Sequence, residues 1–278
     1  MKTREWGWES TDGLEMFAQS WEPEEPPKAI GCLVHGLGEH SGRYAHVGKA
    51  FADAGFALAS FDLRGHGKSG GPRGHIPSFD AFMDDIEAFQ KQLDDHFRNL
   101  PRFLYGHSLG GILVLNYVLR RKPDFKGVIS TGAGLRTALE EQTAKIMMAR
   151  VLGTLMPGVA IPSGLDPTTI SRRTEVVDAY INDPLVHDRM TLGFGKIMLS
   201  VLPWTFEHAH EFSLPLLIMH GKDDKLGYPR GSEEFASHVK QNCTLKLWDG
   251  LSHEIHNEPE QAEVFKFVIN WMDALLKK

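Results

Sequence analysis

Ser108 stands in Gly106-His107-Ser108-Leu109-Gly110, between a short apolar run at 103–105 and a helical apolar pattern at Ile112, Leu113, Leu115, Tyr117 and Val118. A strand running into G-x-S-x-G and straight on into a helix is the nucleophile elbow, a tight turn that presents the serine at the helix N-terminus. There the free N–H groups and the helix dipole favour developing negative charge. Gly106 and Gly110 fit a turn at which strand and helix pass too closely to admit a Cβ.

A serine hydroxyl is a weak nucleophile at neutral pH. It needs a base within hydrogen-bond reach, itself oriented by a carboxylate. Around an elbow the chain order is serine, then acid, then histidine. Downstream of Ser108, one apolar run ends in His220-Gly221-Lys222-Asp223-Asp224-Lys225. The next ends in Trp248-Asp249-Gly250-Leu251-Ser252-His253-Glu254-Ile255-His256. Residue types and order leave two choices open, Asp223 or Asp224 for the acid and His253 or His256 for the base. The oxyanion donors expected are two backbone amides, that of Leu109 and that of Leu37 in His35-Gly36-Leu37-Gly38.

The elements that must position these groups alternate along the chain. An opening hairpin is expected at 6–21, strands at 29–34, 56–61, 103–105, 127–131, 214–219 and 244–248, and helices at 44–54, 79–97 and 259–276. Apolar residues at 79, 82, 83, 86, 89, 93 and 97 have helical spacing. This alternation predicts an α/β fold, a mostly parallel sheet with helices on both faces. Ligands of such sheets sit at the carboxyl ends of the strands, where all the loops quoted above lie. The rhythm breaks at 135–204, which reads as a helical cap inserted after the sixth strand, between core segments 1–134 and 205–278. Instead of strands this insert shows a Met-rich stripe that includes Met148 and Leu152. Such a stripe suits core packing, or its side chains line an acyl tunnel or touch a lipid surface.

Composition narrows the classes. The chain has 278 residues, 42% hydrophobic and 24% charged, as an ordinary globular domain does. A net charge of −6 without basic clusters argues against nucleic acid. No apolar run approaches the ~20 residues of a membrane span, and the opening residues lack a signal-peptide pattern. Two cysteines make no disulfide framework. The expectation is a cytoplasmic chain without metal or other cofactor.

The chain resembles the monoacylglycerol lipase and lysophospholipase branch of the α/β-hydrolases. The resemblance is carried by His35-Gly36-Leu37-Gly38-Glu39-His40-Ser41-Gly42-Arg43-Tyr44, Asp62-Leu63-Arg64-Gly65-His66-Gly67-Lys68-Ser69-Gly70 and the elbow. It continues in Asp183-Pro184-Leu185-Val186-His187, Gly221-Lys222-Asp223-Asp224-Lys225 and Gly250-Leu251-Ser252-His253. It implies a triad of Ser108, Asp224 and His253, an oxyanion pair of Leu37 and Leu109, and a mobile cap forming an apolar tunnel. Met148, Leu152 and His187 are its candidate substrate contacts. It further implies cofactor-free release of fatty acid and glycerol from a monoacylglycerol through an acyl-enzyme, with transient contact between cap and membrane or micelle. Glu39, His40, Arg43 and Tyr44 are expected to brace the oxyanion loop. Animal members carry a cysteine shortly after the acid, where this chain has Gly227. Lysophospholipase or thioesterase action is the alternative chemistry, and a ligand-binding protein on a hydrolase scaffold is the alternative without chemistry.

Overall fold

The computed structural model describes residues 1–141 and 143–277. The chain opens with β1 (Lys2–Glu9) and β2 (Glu15–Glu22), then β3 (Ile30–Val34), α1 (Ala45–Asp53), β4 (Ala57–Phe61) and α2 (Phe79–His96). Next come β5 (Arg102–His107), α3 (Leu109–Arg121) and β6 (Gly127–Thr131). The segment that follows holds α4 (Thr143–Leu155), β7 (Ala160–Pro162), α5 (Thr174–Asn182), β8 (Arg189–Thr191) and α6 (Leu192–His208). The chain closes with β9 (Leu216–Gly221), α7 (Pro229–His238), β10 (Cys243–Trp248) and α8 (Gln261–Leu276).

Eight strands form one sheet in the order β1-β2-β4-β3-β5-β6-β9-β10. Strand β2 runs antiparallel to β1 and β4, and the other neighbours are parallel. All five residues of β3, β4 and β6 are buried, as both-faced burial demands. Alternate side chains feed two cores. Ile30, Cys32, Val34, Leu104 and Val128 pack with Phe82, Ile86 and Phe89 of α2 and with Leu113 of α3. Leu33, Phe103, Tyr105 and Ile129 pack with Phe51 of α1 and with Val264, Val268 and Met272 of α8. Helix α2 starts where Ser78 Oγ accepts the Ala81 N–H at 3.2 Å, and its buried Phe79, Phe82, Met83, Ile86, Phe89 and Leu93 follow the expected spacing.

Between β6 and β9 the structure departs from expectation in two respects. Strands β7 and β8 pair antiparallel, Ile161 opposite Met190; three residues each are too few to show period-2 alternation in a sequence. The Met-rich stripe does not turn to the core, since Met147, Val151 and Leu155 are exposed on α4. Leu152 is half-buried, and the side chain of Met148 lies outside the described residues.

At the junction of β5 and α3, a Cβ on Gly110 would collide with the carbonyl oxygen of Val34 on the neighbouring strand, and one on Gly106 with that of Gly110. Backbone meets backbone, so no side chain can swing away. Gly110→Ala is expected to destabilise the fold by about 3 kcal/mol. Chemical denaturation of the variant checks this, and an unchanged midpoint would show that the elbow has more room than its packing indicates.

Candidate active site

The turn after β5 holds Ser108 at φ 54 and ψ −115, a left-handed backbone that a residue with a Cβ rarely adopts. Its N–H is secured by Thr131 O at 2.9 Å, and α3 begins at the next residue. The serine hydroxyl therefore stands clear of the sheet, at the carboxyl ends of β3, β5 and β6. His253, in the loop after β10, brings Nε2 to 3.0 Å from Ser108 Oγ. Its Nδ1–H donates to Asp224 Oδ2 at 2.7 Å, from the loop after β9. Asp223 points elsewhere: it is exposed, and its amide bonds Leu251 O at 3.0 Å. His256 is buried, its ring stacked on Tyr44 at 4.9 Å. Geometry thus joins Ser108, His253 and Asp224 and leaves Asp223 and His256 aside.

Asp224 is buried, which alone would raise its pKa; the charge and hydrogen bonds of His253 and His220 outweigh this and hold it well below the carboxylate range. Oδ1 also accepts the N–H groups of Leu226 at 2.8 Å and Gly227 at 3.0 Å. For His253 burial disfavours the cation, yet Asp224 prevails and raises its pKa above that of a free imidazole. Neighbouring His107, 4.9 Å away ring to ring, is pushed the other way by burial and by His253, down to about 4.

Leu37 lines the same cavity as Ser108, and its N–H has no acceptor among the described residues. Leu109, the first residue of α3, has no intrahelical acceptor. The Gly36 N–H, by contrast, is committed to Glu39 Oε1 at 2.7 Å. The Glu39 carboxylate also accepts from Tyr44 Oη at 2.7 Å and Arg43 Nη1 at 2.6 Å. The same guanidinium bonds Glu254 through Nη1 at 2.7 Å and Nη2 at 2.8 Å. Glu39, Arg43 and Tyr44 were legible as a brace for the loop. Glu254, which extends that brace to the histidine loop, was not.

The cavity over Ser108 has a volume of about 250 Å³. Its apolar wall is Leu37, Leu165, Ile170, Ile181, Val186 and Leu226, with Tyr180 and His187 beside them. His187 is thus at the cavity, its pKa lowered to about 4 by burial and by Arg73. Leu152 is not among the lining residues; apart from Leu37 and Leu226 the apolar wall comes from 163–188, where Leu165, Pro167 and Ile170 lie in turns without periodicity. His220, which contacts Asp224, was also missed, because nothing in a strand-end histidine marks its partner.

A profile of the family described as serine aminopeptidase S33 matches residues 25–260. The chain belongs to that family. It is a serine hydrolase of the α/β-hydrolase fold, in the branch that contains the monoacylglycerol lipases. It is 33% identical over 262 residues to the monoacylglycerol lipase of Mycolicibacterium smegmatis, covering 94% of this chain and 93% of that one. An uncharacterized abhydrolase domain-containing protein of Dictyostelium discoideum is 38% identical over 266 residues, 95% of this chain but 28% of that much longer protein. The crystal structure of Paleococcus ferrophilus monoacylglycerol lipase superposes with a TM-score of 0.83 at 31% identity, covering 99% of this chain and 100% of that one.

The family fold here encloses several neutral histidines. Burial lowers the pKa of His35, His66, His107 and His256. The unfolded chain therefore binds protons at these sites below about pH 6.5 while the folded chain does not. Stability is expected to fall as pH drops below that point, by up to about 1.4 kcal/mol per pH unit per histidine. Urea titrations at a series of pH values check this; a flat profile down to His107's value of about 4 would contradict it. Asp224→Asn is expected to lower turnover by about 10⁴-fold, because an amide no longer fixes the tautomer of His253. Asp223→Asn is expected to leave turnover within about threefold, since an exposed side chain outside the constellation has little to lose. Steady-state assays on both variants decide, and the reverse ranking would move the orienting role to Asp223.

Proposed function

We propose that this serine hydrolase cleaves monoacylglycerols to fatty acid and glycerol through an acyl-enzyme on Ser108. The observation that carries the reading is the unbroken line from Ser108 Oγ to His253 to Asp224, at 3.0 and 2.7 Å, opening on an apolar cavity. Two monoacylglycerol lipases that resemble the chain over nearly its whole length support the substrate class.

In this mechanism Ser108 Oγ attacks the ester carbonyl carbon as its proton passes to His253 Nε2. Asp224 stays ionised and stabilises the resulting imidazolium. The carbonyl oxygen, now an oxyanion, accepts the amide N–H groups of Leu37 and Leu109. His253 returns the proton to the departing glycerol oxygen. Water then attacks the acyl carbon by the same route in reverse, freeing the acid and restoring Ser108.

The acyl chain lies against Leu165, Ile170, Ile181 and Val186. At about 250 Å³ the cavity is below the ~300–1,000 Å³ usual for ligand pockets, so long chains require the cap to shift. Residues 135–204 form that cap. Exposed Met147, Val151 and Leu155 recur every four residues along α4, and this face would meet the lipid surface from which the substrate is drawn. No described helix is long and apolar enough to cross a membrane, and Cys32 and Cys243 are both free. A peripheral association in a reducing, cytoplasmic setting fits both facts.

Hydrolysis of monoacylglycerols, diacylglycerols, lysophospholipids and short synthetic esters by the purified protein tests the reading. Monoacylglycerols are expected to be turned over with the highest kcat/KM, and Ser108→Ala to lower it by about 10⁴-fold or more. A preference for lysophospholipids would transfer the assignment to the alternative chemistry, and an active Ser108→Ala variant would remove the nucleophile altogether.

A further inference from the structure

His220 is the penultimate residue of β9, four residues before Asp224, and is completely buried. Three contacts hold its ring. Nδ1 lies 2.7 Å from Ser232 Oγ on α7, while Nε2 lies 2.8 Å from Asp224 Oδ2 and 2.9 Å from Gly227 O. A carboxylate oxygen and a carbonyl oxygen only accept, so Nε2 carries the hydrogen and Nδ1 accepts from the serine hydroxyl. The contacts therefore define the tautomer.

Asp224 Oδ2 thus stands between two imidazoles, receiving His253 Nδ1–H at 2.7 Å from one side and His220 Nε2–H at 2.8 Å from the other. With the amides of Leu226 and Gly227 on Oδ1, all four acceptor sites of the carboxylate are filled. We infer that His220 is a positioning residue for the reaction proposed above: its Nε2–H fixes the Asp224 carboxylate that orients His253 and shares the negative charge that His253 feels. The inference rests on the reading of Ser108, His253 and Asp224 as the reacting machinery.

Two consequences follow physically. Without His220 the carboxylate loses one of four holds, so the imidazole it orients is placed less accurately and kcat falls. The charge on Oδ2 is then offered to His253 alone, which stabilises the imidazolium. The acid limb of activity, where His253 must lose its proton, moves to higher pH. The other titratable groups facing His253 are Glu39 from the loop after β3, His107 from the end of β5, and Glu254 and His256 beyond it in its own loop. His220 is hydrogen-bonded to none of these, so any movement of the limb passes through Asp224.

The test compares wild type, Ser108→Ala, His220→Leu, His220→Gln and Ser232→Ala, each verified as folded by its thermal melt, for kcat and KM across the acid limb with a monoacylglycerol. His220→Leu keeps the volume and loses the donor. It is expected to lower kcat by about 10- to 100-fold with KM within about threefold, the range seen when a histidine's orienting hydrogen bond is lost elsewhere. Its acid limb is expected to move up in pH. His220→Gln places an amide N–H where Nε2 lay and is expected to recover most of the lost kcat and to return the limb. Ser232→Ala loosens the ring and is expected to act in the same direction, less strongly. A folded His220→Leu enzyme with wild-type kcat and an unmoved limb overturns the inference, as does a His220→Gln variant no better than His220→Leu. If His220→Leu does not fold, a Ser232→Ala enzyme indistinguishable from wild type overturns it. An active Ser108→Ala variant would instead sink the underlying mechanism, whatever the His220 series does.

Discussion

Every part of this site is arranged around one strained residue. Ser108 occupies a left-handed backbone that costs on the order of 1–3 kcal/mol, and only the surrounding packing can sustain it. That packing is unusually complete. Strand β5 is buried on both faces from Phe103 to His107, and α3 is buried from Leu109 to Leu119. The strain places Oγ above the sheet rather than within it, and the sheet order decides what can reach it. On one side lies β3, whose following loop carries Leu37. On the other, beyond β6, lie β9 and β10, whose loops carry Asp224 and His253. Leu37 and His253 therefore approach Ser108 from opposite sides of the elbow.

Those two sides are tied together by a buried cation. Arg43 bonds Glu39 of the loop after β3 and Glu254 next to His253. Desolvating three charges gives little net stability, but the contacts join two loops 211 residues apart. Glu39 is pulled two ways: burial raises its pKa, and the adjacent Arg43 overrides this and keeps it ionised. The clamp also reaches segment 135–204, because the Arg43 guanidinium lies 4.7 Å from the centroid of the Tyr180 ring. Nearby, Asp183 lies 2.9 Å from His40 Nε2, and His187 N–H donates to Gly38 O at 2.9 Å. Segment 135–204 is thus docked on the loop that carries Leu37. In the mechanism proposed above, substrate entry and transition-state binding share this surface.

Much of this was legible in the sequence, for identifiable reasons. Strands buried on both faces read as continuous apolar runs, and α2 declares itself by Phe79, Phe82, Ile86 and Phe89 on one stripe. The elbow is local, so a pentapeptide with its flanks specifies it. Asp224 over Asp223 was not local. Adjacent side chains diverge, and only the position of His253, 29 residues on, separates them. The brace showed its Glu39–Arg43 half, which is an i,i+4 pair. It hid Glu254, 211 residues away. Beyond the 183–187 segment that the resemblance flagged, the cavity wall was not legible, because residues such as Leu165, Pro167 and Ile170 converge through turns, without period. The Met-rich stripe misled only in its core-packing reading. Its spacing is regular, but regular spacing does not say whether an apolar face turns inward or outward, and Met147, Val151 and Leu155 turn outward.

The electrostatics of the histidines explain why such a site tolerates so many of them. A base that must accept a proton and then return it requires that no neighbour compete for that proton. Of the histidines around His253, burial lowers the pKa of both His107 and His256, while Asp224, Glu254 and Glu39 favour the charged form of His253. The carboxylate it touches, Asp224, is kept ionised by four donors. The remaining acids, Glu39 and Glu254, are already engaged by Arg43. Proton affinity is thereby concentrated on the imidazole that faces Ser108, and that concentration depends on burial as much as on the triad itself.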